Sequence, residues 1–176
     1  RATGDYNAFW AARDLVPLAK NIKAAVLLAH GLNDYNVMPS HSVRVFEELQ
    51  AHHITSAIYL HQGGHGGNPP DELLNRWFSH YLYGVDNGVE KDGRAWIVSN
   101  TAAATSAPGQ RPVAPAPASF ATFPVPGSAP VTFFGQRGGR GVATLRVSAP
   151  ASGVDTLTDD VAMSGSANAS AVTSAN

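Results

Sequence analysis

The run AAVLLA, Ala24–Ala29, closed by His30-Gly31, sets the class of the molecule. An unbroken apolar stretch of this length, with no alternation, suits a strand buried on both faces, as in a parallel sheet covered by helices. Downstream of it, Ser40 stands where a helix reaching about His53 would be capped, and Val43, Phe46 and Leu49 recur three apart along one side. Ile54–Leu60 (ITSAIYL) is rich in β-branched and aromatic residues and reads as a second strand. A glycine-rich turn, His61–Gly67, follows. Pro69-Pro70 then leads a helix from Asp71 to Tyr83, with Leu73, Leu74, Trp77, Phe78, Tyr81 and Leu82 on a broad face and Gly84 at the C-terminal cap. Strand, helix, strand, helix in this order implies a right-handed βαβ unit at one edge of a parallel sheet, and so an α/β fold. Upstream, Asn7–Asp14 (NAFWAARD) predicts a short helix with Phe9 and Trp10 turned inward.

Composition bounds the function. Hydrophobic residues make up 44% of the 176 and charged residues 14%, which fits a globular body and excludes a charged disordered tail. With a formal net charge of −1 and no run of Lys or Arg longer than two, there is no electrostatic footprint for nucleic acid or an acidic membrane. No apolar run approaches the roughly 18–20 residues needed to cross a bilayer. Cysteine is absent, which excludes disulfides and thiolate metal sites. The opening Arg1–Asp5 is neither an initiator Met nor a signal peptide, so the chain is expected to be the C-terminal part of something longer. Little Lys and much Ala, Ser, Thr and Gly point to a secreted protein, with the cytoplasm as the alternative.

The texture changes near residue 100. Thr101–Ala118 is dominated by Ala, Pro, Thr and Ser and cannot bury enough apolar area to offset its ordering entropy. Beyond it, Val131–Phe134 (VTFF), Val142–Val147 (VATLRV) and Asp159–Met163 (DDVAM) are short strand candidates, the first two separated by a turn at Gln136–Gly141. The expected organisation is a catalytic-type α/β portion over residues 1–88, a connection over 89–118, and the incomplete start of a β-sandwich over 119–176.

In parallel α/β sheets reactive groups lie in loops beyond the carboxyl ends of the strands. Two such loops are readable: His30-Gly-Leu-Asn-Asp34-Tyr-Asn36-Val37 after the first strand, and the turn holding His65 after the second. Neighbouring strands are about 4.8 Å apart, so a carboxylate from one loop can meet an imidazole from the other. A serine hydroxyl needs an imidazole to take its proton, and the imidazole needs a carboxylate to fix its tautomer. α/β-Hydrolases place these groups in the chain order Ser, Asp or Glu, His. The second half of that order is present as Asp34 and His65. The first half is not, because no Gly-x-Ser-x-Gly occurs.

Gly4–Trp10 with Arg13, then His30–Val37, then Gly63-Gly64-His65, resembles the X-prolyl dipeptidyl-peptidase family, whose relatives include cocaine esterase-like and α-amino-acid ester hydrolases. The likeness spans roughly residues 3–84, and a weaker one runs through Phe120–Pro126 toward that family's C-terminal jelly-roll domain. The resemblance implies that Asp34 is the triad acid, that His65 is the general base and that Asn36 lines the substrate pocket. The form Asp34-Tyr-Asn36-Val37 is closer to the peptidase branch than to the esterase branch. It further implies a serine exopeptidase acting on proline-containing peptides, with no cofactor. An N-terminal segment or chain would carry the serine, and these residues alone would be inactive. The nucleophile elbow, the oxyanion hole and an acidic residue for the substrate amine are absent from the sequence.

The remaining motifs read as structure. His30 closes a strand and is expected to pack or to support the site; His41, His52, His53 and His80 fall on predicted helices. His61 and His65 lie four apart but on a turn with no fixed face, and without HExxH or cysteine they make no zinc site. The paired glycines lack the Gly-Lys-Ser/Thr ending of a phosphate loop. Two alternatives stand beside the peptidase reading: an ester or acyl hydrolase with the same machinery, and a non-catalytic binding module built on the β-rich tail.

Overall fold

The computed structural model describes residues 5–100, 115–137 and 143–149. The chain forms two compact units, Arg1–Ser128 and Ala129–Asn176.

The first unit is built on a four-stranded sheet in the order β1-β2-β3-β4. Strand β1 is Val26–Gly31, β2 Ser56–His61, β3 Ala95–Ile97 and β4 Ala118–Phe120. β1 pairs in parallel with β2, from Val26 opposite Ser56 to Gly31 opposite His61. β2 pairs in parallel with β3, and β4 returns antiparallel along β3. The sheet is therefore α/β and mixed. Helix α1 is Ala8–Ala11, α2 Pro39–Ala51 and α3 Asp71–Tyr83; 3₁₀ turns occupy Val16–Asn21 and Val89–Lys91.

β2 lies between β1 and β3, and its burial follows from that position: Ser56 to Leu60 are all buried. Its side chains alternate between two apolar layers. Ile58 and Leu60 pack with Phe46 of α2 and Ala95, with Leu28 and Val43 against them. Ala57 packs with Trp77 of α3 and Val89, joined by Leu27 and Tyr81. One helix thus covers each face, which is why the two strand segments read as nearly continuous apolar runs. Buried Ser56 is satisfied, its Oγ donating to the Ile54 carbonyl (3.1 Å) and accepting from Gln50 Nε2 (2.7 Å).

Several expectations are corrected. β1 is only partly buried, although Leu28 and Leu27 pack into opposite layers. It is an edge strand with intermediate burial along most of its length and with Ala29 exposed, because no strand pairs with its outer side among the described residues. Ser40 is not the cap of α2: Met38 occupies that position and Pro39 is the first helical residue, where its fixed φ and missing N–H are tolerated. In α3 only Leu73 and Trp77 are buried, while Phe78 and Leu82 face outward, because a single sheet layer covers a narrower stripe than the sequence offered. Trp10 is exposed rather than inward, although α1 is capped by Asn7 Oδ1 accepting from the Phe9 N–H at 2.9 Å. The span 89–118, read as a connection, contains β3 with fully buried Ala95. Ala118–Phe120, at the expected start of the second domain, is the fourth strand of the first sheet.

In the second unit β5 (Phe134–Arg137) and β6 (Ala143–Arg146) form an antiparallel pair. Val131–Phe133 lie outside the strand expected there, and Gln136 belongs to β5 rather than to a turn. The Asp159–Met163 candidate lies outside the described residues, as does 101–114 of the expected linker.

Candidate active site

Both loops leave the sheet at the same end, because β1 and β2 run in parallel and finish opposite each other at Gly31 and His61. They are then stitched together. Leu32 N–H donates to the His61 carbonyl (2.7 Å), Asn33 N–H to the Gly63 carbonyl (3.1 Å), and Asn33 Nδ2 to the Gln62 carbonyl (2.8 Å). Gly31 makes this approach possible: a Cβ there would run into the backbone carbonyls of Gly63 and Gly64.

His61 shapes the second loop. Its imidazole stacks on Tyr59 with centroids 5.6 Å apart, and its Nδ1 accepts from the Gly63 N–H at 3.0 Å. A Cβ at Gly63 would stand 2.8 Å from that ring, and one at Gly67 would stand 2.6 Å from it, so the chain folds back over the imidazole only as glycine. Gly66 and Gly67 also adopt φ of 95° and 99°, in the range where L side chains are strained. The glycine-rich stretch is therefore a wrap around His61 that carries His65.

These constraints bring Asp34 and His65 together. His65 Nδ1 lies 3.0 Å from Asp34 Oδ2. The carboxylate can only accept, so Nδ1 carries a proton, and in the neutral ring Nε2 is left with its lone pair. Nε2 makes no hydrogen bond among the described residues, and the His65 side chain is 62% exposed against 4% for Asp34. The other carboxylate oxygen, Oδ1, accepts from the N–H groups of Asn36 (2.9 Å) and Val37 (3.0 Å). The Val37 bond is the largest influence on Asp34. With His65 and Asn36, and against the opposing effect of burial, it holds the carboxyl below its ordinary value of 3.8. Asp34 is thus held at both oxygens, and the His65 ring is oriented by the contact to Oδ2.

Asn36 sits in the same loop, exposed, and the contact it makes to the pair is through its backbone N–H. Two participants had little sequence signal. Gly31 and His61 matter through what passes over or against them, which no local pattern reports. No group of three or more His, Asp or Glu able to hold a metal occurs among the described residues. No helix among them is long and apolar enough to cross a membrane. A cavity of about 670 Å³ between the first 3₁₀ turn and α2, lined by residues including Leu15, Leu18, His41 and Arg44, touches neither Asp34 nor His65.

The α/β sheet thus carries a carboxylate–imidazole pair at the carboxyl ends of parallel strands, where such sheets place their reactive groups. Residues 1–67 match the family model of the X-Pro dipeptidyl-peptidases (S15 family). It is 49% identical over 130 residues to a putative Xaa-Pro dipeptidyl-peptidase of Rhodopirellula baltica, covering 73% of this chain and 21% of that protein. A putative Xaa-Pro dipeptidyl-peptidase of Bacillus anthracis is 39% identical over 107 residues, covering 54% and 18%. The Xaa-Pro dipeptidyl-peptidase of Lactiplantibacillus plantarum is 40% identical over 96 residues, covering 51% and 12%. The chain therefore spans about a fifth or less of the length of these curated relatives.

Proposed function

We propose that this chain supplies the acid and base of a serine exopeptidase that releases N-terminal Xaa-Pro dipeptides. The observation that carries the reading is the 3.0 Å contact between His65 Nδ1 and Asp34 Oδ2, with Nε2 unengaged among the described residues. The serine comes from a segment outside these residues, since the sequence holds no Gly-x-Ser-x-Gly. The outer edge of β1, unpaired among the described residues, is a suitable site for a further strand that brings it alongside the pair.

In the proposed reaction His65 Nε2 takes the serine proton as the hydroxyl attacks the carbonyl carbon of the proline. The imidazolium that forms is stabilised by Asp34, and it gives its proton to the departing amine, leaving an acyl-enzyme. Water then repeats the step, with Nε2 as base, and frees the dipeptide. The names of the relatives support the choice of a proline-directed peptide over other acyl substrates. The second unit, with its antiparallel pair, is consistent with the opening of a β-sandwich appended to the catalytic portion.

The test is a reconstitution. The chain is joined to the serine-bearing portion of its own protein and assayed on Gly-Pro and Ala-Pro amides beside aryl and amino-acid esters. The proposal expects turnover of the Xaa-Pro amides that is blocked by a serine-directed probe. Turnover of esters alone would move the site to the esterase branch, and failure of the probe to label the serine would remove the hydrolase reading.

A further inference from the structure

His30 lies at the end of β1, one residue before Gly31, and its side chain is 9% exposed. Both ring nitrogens are engaged. Nε2 is 2.8 Å from the Val37 carbonyl, and Nδ1 is 2.7 Å from Ser42 Oγ on α2. A carbonyl only accepts, so Nε2 carries hydrogen, and in the neutral ring Nδ1 accepts from the Ser42 hydroxyl. The same Nε2 is 3.5 Å from Asp34 Oδ2. Val37 is the hinge of this arrangement: its carbonyl is held by His30, while its N–H donates to Asp34 Oδ1 at 3.0 Å.

We infer that His30 is a positioning residue that locks the Asp34 loop between β1 and α2, and through it the orientation of His65. The inference rests on the proposed pairing of Asp34 with His65 but not on the substrate. Strand β1 is anchored by six residue pairs along β2, whereas the loop from Leu32 to Met38 forms no regular element. The His30 ring carries the rigidity of the strand, and through Ser42 that of the helix, to the Val37 peptide. With that peptide fixed, Oδ1 is fixed, and Oδ2 then has one direction left, toward His65. Removing the ring frees the Val37 carbonyl and lets the carboxylate rotate without disturbing any residue of the sheet core.

The experiment uses the full chain and needs no catalytic assay, so its failure is separable from failure of the peptidase reading. The low-field proton NMR resonance of His65 Nδ1–H, assigned by its loss in His65→Gln, is followed with its solvent exchange rate in the parent, His30→Leu, His30→Gln and Ser42→Ala. Gln offers an amide donor near the position of Nε2, whereas Leu offers none. The expected result is exchange faster by roughly fivefold or more in His30→Leu, the population factor for one lost hydrogen bond, with recovery toward the parent in His30→Gln. Ser42→Ala, which deletes a single oxygen, is expected to fall between them, and it decides the matter if His30→Leu does not fold. An unchanged His65 signal in a folded His30→Leu, or in Ser42→Ala if His30→Leu does not fold, would overturn the inference. So would a His30→Gln chain that is as fast as His30→Leu.

Discussion

Replacing Asp34 by Asn changes one atom of the carboxylate, and its effect can be followed contact by contact. Oδ1 accepts from the N–H groups of Asn36 and Val37 at 2.9 and 3.0 Å, and an amide oxygen in the same place keeps both bonds. The amide nitrogen then takes the place of Oδ2, which faces His65 Nδ1 at 3.0 Å and His30 Nε2 at 3.5 Å. A donor now points at two donors. His30 cannot move its proton away, because the Val37 carbonyl 2.8 Å distant needs it. His65 can: its proton passes to Nε2, and Nδ1 accepts from the new amide. The nitrogen that should take the serine proton is then already protonated. An Asp-to-Asn change of this kind in a Ser-His-Asp triad lowers turnover about 10⁴-fold with the geometry intact, and a loss of that order is expected here. The assay is kcat on an Xaa-Pro amide in the reconstituted enzyme, paired with ¹⁵N NMR of His65 to read which nitrogen carries the proton. A loss smaller than about tenfold would refute the reasoning, as would a large loss with Nε2 still unprotonated at neutral pH.

Four further outcomes follow from the same contacts. Gly31→Ala places a methyl group against the carbonyls of Gly63 and Gly64; the cost, read by denaturant melts, should be about 1–3 kcal/mol, with the Asp34–His65 contact lengthened in a structure of the variant. Because the folded Asp34 carboxyl sits below its ordinary 3.8, the stability it contributes is complete above that value and is lost as pH falls through the lower folded value. Acid melts of Asp34→Asn should therefore show a shallower loss than the parent below about pH 4, and equal slopes would contradict the assignment. His53 lies two residues past the end of α2 at φ 56°, with Ile54 N–H returning to the Leu49 carbonyl at 2.9 Å; His53→Gly relieves the left-handed strain and should stabilise by roughly 0.5 kcal/mol, measured by thermal melting. Phe46, 1% exposed between α2 and the sheet, should cost about 3–5 kcal/mol as Phe46→Ala, read as a drop in the denaturant midpoint.

How much was legible depended on whether the signal was local. The Asp71–Tyr83 helix is visible to its last residue because Pro69-Pro70 and Gly84, at φ 69°, punctuate it by backbone sterics that act within one turn. β2 is visible because its burial on both faces forces an apolar run. β3, three residues long, has no period to read, and it becomes a strand only because Ile58 and Leu60 offer it a partner. The narrower face of α3 and the outward Trp10 escaped for a related reason: periodicity identifies what can be buried, and the neighbours present determine what is.

The amino-acid order by itself determined the α/β class, the positions of the carboxylate and imidazole at strand ends, and the family resemblance, since all three are properties of short contiguous segments. Only the tertiary structure decided that Asp34 and His65 meet at 3.0 Å, that Gly31 is the gap through which their loops close, and that His61 and His30 hold those loops from beneath. The physical reason is range. A strand or a cap is selected by interactions a few residues apart, whereas the site is assembled across 31 positions of chain by parallel pairing and by atoms that do not overlap.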